Sequence, residues 1–395
     1  MERSIPGRAG RLVVVSLIFS FIILVAVSFA SAAEPIKIGM VVSVTGPVGY
    51  LGTYQKEAMT ALVEDINSKG GVLGRPLEVY LEDDQSAPTT AVIAATKLIR
   101  DKKVAAVIGP TTTDAGMAMA PICEQEQLPF IAYSPMVSPF KKWLFLLGPG
   151  DARIASHLAE DAVGLLGAKR IALLHDSAYY GTTAARIIRK KIDEYPGVSI
   201  VVQEQFERAD TNMIAQLMRI KAAKPDLIIL QCTGGAMAAI IAKNYKQLGM
   251  TTRLVSSGSL SQKDFMKLGG GQIAEENGWM ALLLKISVAE RISPTDPFRK
   301  SVYEPFKKAF QDKYGKDRDV NVFHAGPPDA VNILVAALKI AGTDDRAALR
   351  DAIEKVRIEG MLGPFACSPT DHQGSPKDVS IWSVVKAGEW VPLKE

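Results

Sequence analysis

The chain has 395 residues, 46 Lys and Arg against 42 Asp and Glu, and 48% hydrophobic residues with 7% aromatics. That length suits two domains better than one, and the even spread of apolar residues excludes a disordered or low-complexity protein. A formal net charge of +4 without a Lys/Arg block excludes a nucleic-acid footprint. Three cysteines, Cys123, Cys232 and Cys367, exclude a disulfide scaffold, and neither they nor the four histidines have metal-ligand spacing; no metal and no cofactor is expected.

Residues 1–32 read as a secretory signal: Arg3, Arg8 and Arg11 precede an apolar run from Leu12 to Ala30, followed by the small-x-small triplet Ala30-Ser31-Ala32. The competing reading is an uncleaved anchor, because the run is long enough to span a bilayer. Cleavage near Ala33 removes three Arg and one Glu, leaving a net charge of +2 over 363 residues. The mature protein is then expected to be soluble and extracytoplasmic, with its three thiols buried as small apolar side chains.

Short β-branched runs alternate with helix-length segments along the rest of the chain. Strands are expected at Ile36–Val42, Leu77–Leu81, Val104–Ile108, Pro129–Ala132, Arg170–Leu174, Val198–Val202, Asp226–Leu230 and Arg253–Val255. Between them, apolar residues three and four apart (Met59, Leu62, Val63 and Ile66; Ile93, Leu98 and Ile99; Ile214, Leu217 and Ile220) predict amphipathic helices. The alternation predicts βαβ units, hence an α/β fold with parallel sheets covered by helices. Gly148-Pro149-Gly150 marks a break between two similar halves, and the pattern shifts again near Gly278–Leu284 and Glu359–Gly363.

The marks of a nucleotide enzyme or hydrolase are missing. No G-x-G-x-x-G follows a strand, and neither a G-x-x-x-x-G-K-[ST] nor a G-x-S-x-G sequence occurs. His175-Asp176-Ser177 has triad residue types only as chain neighbours, whereas a triad is assembled from separate elements. No enzyme is expected.

In open α/β sheets, ligands sit outside the carboxyl ends of the strands. The loop after the first strand, Ser43 to Gly52, is rich in glycine and hydroxyls. After Ile108 comes Gly109-Pro110-Thr111-Thr112-Thr113-Asp114, a helix start whose free N–H groups and dipole suit a carboxylate. Plain capping by Thr113 or Asp114 fits the same residues. Tyr133-Ser134-Pro135-Met136-Val137-Ser138-Pro139 presents more hydroxyls, and His175 to Gly181 brings Tyr179 and Tyr180 from the second half. Facing loops of this kind suit a small polar ligand.

The ordered set Ile36-Lys37-Ile38-Gly39, Thr45-Gly46-Pro47, Asp65 to Gly74, Glu82-Asp83-Asp84, Ile108-Gly109-Pro110, Ser134-Pro135 and Tyr180-Gly181 resembles the periplasmic leucine/isoleucine/valine-binding proteins, the solute receptors of ABC importers. The resemblance implies two Rossmann-like lobes joined by a three-crossing hinge, closing on a ligand in the cleft and docking on a membrane permease. The lobes would comprise residues 33–150 with 283–358 and 151–282 with 359–395, in a periplasmic protein. It also implies roles: Thr113 and Ser138 as the hydroxyls on the ligand carboxylate, Met136 as the backbone position beside them, and Tyr180 as the second-lobe aromatic. Leu51 falls at a position for an aromatic, with Tyr50 adjacent as a substitute; Ser134 belongs to the same carboxylate loop.

Gly258 falls where the family places the acid that pairs with the ligand ammonium, and Gly234 or Gly235 where it places an aromatic. A buried ammonium without a carboxylate costs several kcal/mol. The expected ligand is therefore a small carboxylate without an amine, aromatic or aliphatic. A branched-chain or other amino acid is the alternative, with Asp176 or Asp329 serving the ammonium. A ligand-sensing receptor ectodomain is the other functional class; the polar tail ending at Glu395 speaks against it.

Overall fold

A computed structural model describes residues 34–136, 141–261, 263–375 and 379–393. The expected signal segment and Ser138 lie outside the described residues. The β-branched run at Ile36–Val42 forms β1, followed by α1 (Gly49–Ser68), β2 (Leu77–Asp83), α2 (Pro88–Arg100), β3 (Ala106–Gly109), α3 (Thr113–Gln125), β4 (Phe130–Ala132) and β5 (Leu144–Leu146). These strands make one parallel sheet in the order β2-β1-β3-β4-β5. Alternation along β1 divides the core: Ile36, Ile38, Met40 and Val42 point to the layer of α1, while Val41 meets Leu98 and Ala115 on α2 and α3.

The second half repeats the construction. It runs α4 (Asp151–Gly164), β6 (Arg170–Asp176), α5 (Tyr179–Ile192), β7 (Ser199–Phe206), α6 (Ile214–Ala223), β8 (Leu227–Gln231), α7 (Gly235–Gln247) and β9 (Arg253–Ser256). Two short helices, α8 (Lys263–Lys267) and α9 (Gly270–Glu276), lead to β10 (Met280–Leu284). The chain then returns to the first half. There α10 (Glu304–Tyr314) and α11 (Gly326–Ala341) pack on α1, and Arg318 pairs with Glu57 at 2.5 Å. After α12 (Arg346–Ile353), the hairpin β11 (Arg357–Gly360) and β12 (Gly363–Ala366) precedes β13 (Ser380–Lys386) and β14 (Glu389–Pro392). The last two complete a seven-stranded sheet, β14-β13-β10-β9-β8-β6-β7. The chain thus passes between the two sheets after β5, after β10 and after the β11–β12 hairpin.

The α/β fold with two predominantly parallel sheets agrees with the sequence reading, with two differences. The second sheet ends in antiparallel strands, because β13 pairs with β10 and β14 with β13 without a crossover helix. Ile93 is 68% exposed; the buried face of α2 is instead made by Ala91, Ala94, Ala95, Leu98 and Ile99. Small alanines let this helix lie close to the sheet, so the face falls one position away from the bulky residue.

Strand order explains where a ligand can bind. In the first sheet β1 lies between β2 and β3, and in the second β6 lies between β7 and β8. Connections leave such a central strand and its neighbour in opposite directions, opening a crevice at the carboxyl ends. Gly52 permits a tight departure from β1, since a Cβ there would stand 1.8 Å from the Ser43 carbonyl oxygen.

Candidate functional site

The two crevices face each other across one cleft. Leu51 and Gln55 on α1, Thr111, Thr112 and Thr113 at the start of α3, and Tyr133 and Ser134 after β4 line it from the first half. Tyr180 on α5, Arg208 after β7, Thr233 after β8 and Ser257 and Gly258 after β9 line it from the second. Mostly apolar walls with a few convergent polar groups suit a small organic ligand.

The first-half groups form a corner rich in hydrogen-bond donors. Thr112 caps α3, its hydroxyl accepting from Ala115 N at 3.3 Å. That leaves the N–H groups of Thr113 and Asp114 at the helix start without an intrahelical acceptor. The Thr113 hydroxyl donates to the Pro135 carbonyl at 2.6 Å, so its one proton is engaged in tying the β4 loop to α3. The Ser134 hydroxyl is buried and has no partner, as is the Tyr133 phenol, whose pKa burial raises well above its ordinary value. A negatively charged or carbonyl oxygen in the cleft would meet both N–H groups and hydroxyls here.

Gln55 is fixed in this wall by Thr111, whose hydroxyl donates to Gln55 Oε1 at 2.7 Å and accepts from Ser43 N at 2.9 Å. In the opposite wall, the Tyr180 hydroxyl lies 2.7 Å from Ser257 Oγ and 3.1 Å from Gln231 Oε1. Gln231 Nε2 is buried without a partner.

Of the residues singled out by sequence, Leu51, Thr113, Ser134, Tyr180 and Gly258 come together around the cleft. Tyr50 lines an adjoining pocket with Tyr54, Asp264 and Phe323; burial and the nearby Asp264 carboxylate push its phenol up to about 12. Met136 is buried in the core and does not line the cleft; its sulfur lies against Gly116 of α3. Gly258 faces open space: among the described residues, no atom beyond its chain neighbours lies within 4 Å of a Cβ placed there. Neither acid considered as an ammonium partner lines the cleft. Asp176 accepts from Thr233 N at 2.8 Å, Thr233 Oγ1 at 2.9 Å and Ala178 N at 3.2 Å. Asp329 accepts from Met361 N at 2.9 Å and Leu362 N at 2.8 Å, and burial pushes its pKa up to about 7.

Sequence reasoning missed Gln55, Ser257 and above all Arg208. Its signal was present: Arg208 lies two residues past the end of β7, in a loop of the class that carries ligands in this fold. Among the described lining residues Arg208 is the one with a charged side chain, and none is acidic.

Residues 35–389 match a family described as periplasmic binding protein. The leucine-, isoleucine-, valine-, threonine- and alanine-binding protein of Pseudomonas aeruginosa is 25% identical over 347 residues, covering 85% of this chain and 86% of that one. An extracellular ligand-binding receptor from Rhodopseudomonas palustris HaA2 superposes with a TM-score of 0.82 at 25% identity, over 91% of this chain and 99% of the other. The branched-chain amino acid transporter substrate binding protein LivJ of Streptococcus pneumoniae, in complex with isoleucine, shares the fold with a TM-score of 0.76 at 23% identity, over 90% and 97%. These relatives are binding proteins, and a solute-binding role follows for this chain. The chain belongs to the periplasmic binding protein family.

Proposed function

We propose that this protein is the extracytoplasmic solute-binding component of an ABC importer of the branched-chain amino-acid type, and that its solute is a small amine-free carboxylate, aromatic or aliphatic. The signal segment is removed near Ala33 and the protein works in the periplasm. Residues 33–150 with 283–358 form one lobe and 151–282 with 359–395 the other. Ligand bridging the α3 start and Tyr180 favours the closed arrangement, which the membrane permease recognises.

One observation carries the ligand class. The described cleft lining has N–H donors and hydroxyls for a carboxylate but no acidic side chain for an ammonium, and Asp176 and Asp329 are engaged elsewhere. The names of the relatives favour an amino acid instead, and this second reading needs an ammonium partner that the lining lacks. A thermal-shift screen of the exported protein against amino acids and amine-free acids decides, because a ligand that binds only the native state raises the melting temperature. Stabilisation by acids alone is expected; stabilisation by leucine, isoleucine or valine but by no acid would sink the carboxylate reading.

A further inference from the structure

Arg208 is the charged side chain among the described residues of the cleft lining. It stands in the loop after β7, lines the cleft, and is about one-quarter exposed. Its guanidinium has five N–H donors. Nη2 meets Asp114 Oδ2 at 3.3 Å and Thr233 Oγ1 at 3.2 Å, while Nε is buried without an acceptor. A buried donor on a cation is costly to leave unpaired, and an anion in the cleft would supply the missing acceptor. Asp114 belongs to the first turn of α3, so the same contact sets the guanidinium beside the helix start whose N–H groups point to an anion.

We propose that Arg208 is the second-lobe partner of the solute's anionic group, joining the carboxylate held by the α3 start and Ser134, and that it makes the cleft select anions over zwitterions. The proposal rests on the carboxylate reading and adds the residue and the charge rule to it. Asp114, the acid nearest to the guanidinium, has both oxygens engaged: Oδ2 by Arg208 and Oδ1 by the Tyr179 N–H at 3.1 Å. An incoming ammonium would thus meet a guanidinium without a free carboxylate beside it. A planar fork also suits a carboxylate better than a lysine would.

Calorimetric titration of the exported protein with 4-methylpentanoate, 3-phenylpropanoate, their primary amides, leucine and phenylalanine tests this. The wild type is expected to bind an acid more tightly than its amide or the matching amino acid. Arg208→Gln should weaken the acid about 10- to 100-fold and leave the amide within about threefold, the size of one charge-assisted contact. Arg208→Lys should fall between. Equal acid binding by wild type and Arg208→Gln would overturn the Arg208 assignment while the carboxylate reading stands. Binding of amino acids with no binding of either acid, or no binding of any probe, would overturn both. If the Gln variant loses its native melt, the acid-to-amide ratio of Arg208→Lys decides, and a ratio unchanged from wild type overturns the assignment.

Discussion

Asp114 at the start of α3 and Arg208 after β7 are joined at 3.3 Å, an ion pair that links the layer of the first sheet to that of the second. The Tyr179 N–H, at the start of α5, reinforces it through the other carboxylate oxygen. Both side chains are about one-quarter exposed, so screening keeps the pair modest. A double-mutant cycle of Asp114→Ala and Arg208→Ala, read by urea unfolding, should give a coupling of about 0.5–1 kcal/mol at low salt. The coupling should shrink at roughly 1 M salt, where the Debye length is about 3 Å. Strictly additive single variants would mean that the lobes do not meet here in solution.

The glycine at 116 leaves room for Met136 and Ser134 in the donor-rich corner. A Cβ there would lie 2.7 Å from the Met136 sulfur and 3.0 Å from Ser134 Oγ. In an open helix, Gly→Ala stabilises by about 1 kcal/mol. Overpacking costs about 1–3 kcal/mol, and only the flexible methionine can yield easily. Gly116→Ala should therefore be less stable by about 1 kcal/mol in urea unfolding and should bind an acid such as 3-phenylpropanoate more weakly, since Ser134 must move. A variant more stable than wild type would show that the corner has slack.

The two sheets and their helices were legible because period-two runs such as Ile36 to Val42 alternate with helical spacing over a regular interval. The added strands were not: β13 and β14 join by antiparallel pairing, which has no crossover helix to announce it. Site residues at the ends of β1, β3, β4 and β6 followed from the rule for strand ends. Arg208 obeys the same rule, yet Glu207-Arg208-Ala209-Asp210 reads as a solvated charged loop, and only the fold turns its arginine inward. The fates of Asp176 and Asp329 were hidden for another reason. Their partners, Thr233 and Leu362, lie 57 and 33 positions away.

Gly258 offers the reciprocal test of ligand charge. Space around it is open, so a side chain can be added without displacing a neighbour. Gly258→Glu places a carboxylate in a lining that has none among the described residues, and an ammonium then gains the partner it lacks. The variant should shift the preference between leucine and 4-methylpentanoate toward leucine by at least about tenfold, the size of a charge-assisted bond. Calorimetry on both ligands reads the ratio, and an unaltered ratio would show that position 258 does not face the ammonium end of the ligand.

Asp329 gives the protein a pH dependence of a defined sign. Burial raises its pKa from 3.8 to about 7, although the N–H groups of Met361 and Leu362 favour the charged form. With the folded value above the unfolded one, the native state binds the proton more tightly. The contribution is then complete below about pH 3.8 and is lost as pH rises to about 7. At 1.36 kcal/mol per unit, the loss is at most about 4 kcal/mol. Asp329→Asn removes the titration and weakens one backbone contact at every pH by about 1–3 kcal/mol. Urea unfolding of both proteins from pH 4 to 8 should show the stability of wild type relative to the variant falling with pH and levelling above about 7. A difference that stays constant across that range would mean that Asp329 is ionised throughout, with its two N–H bonds outweighing burial.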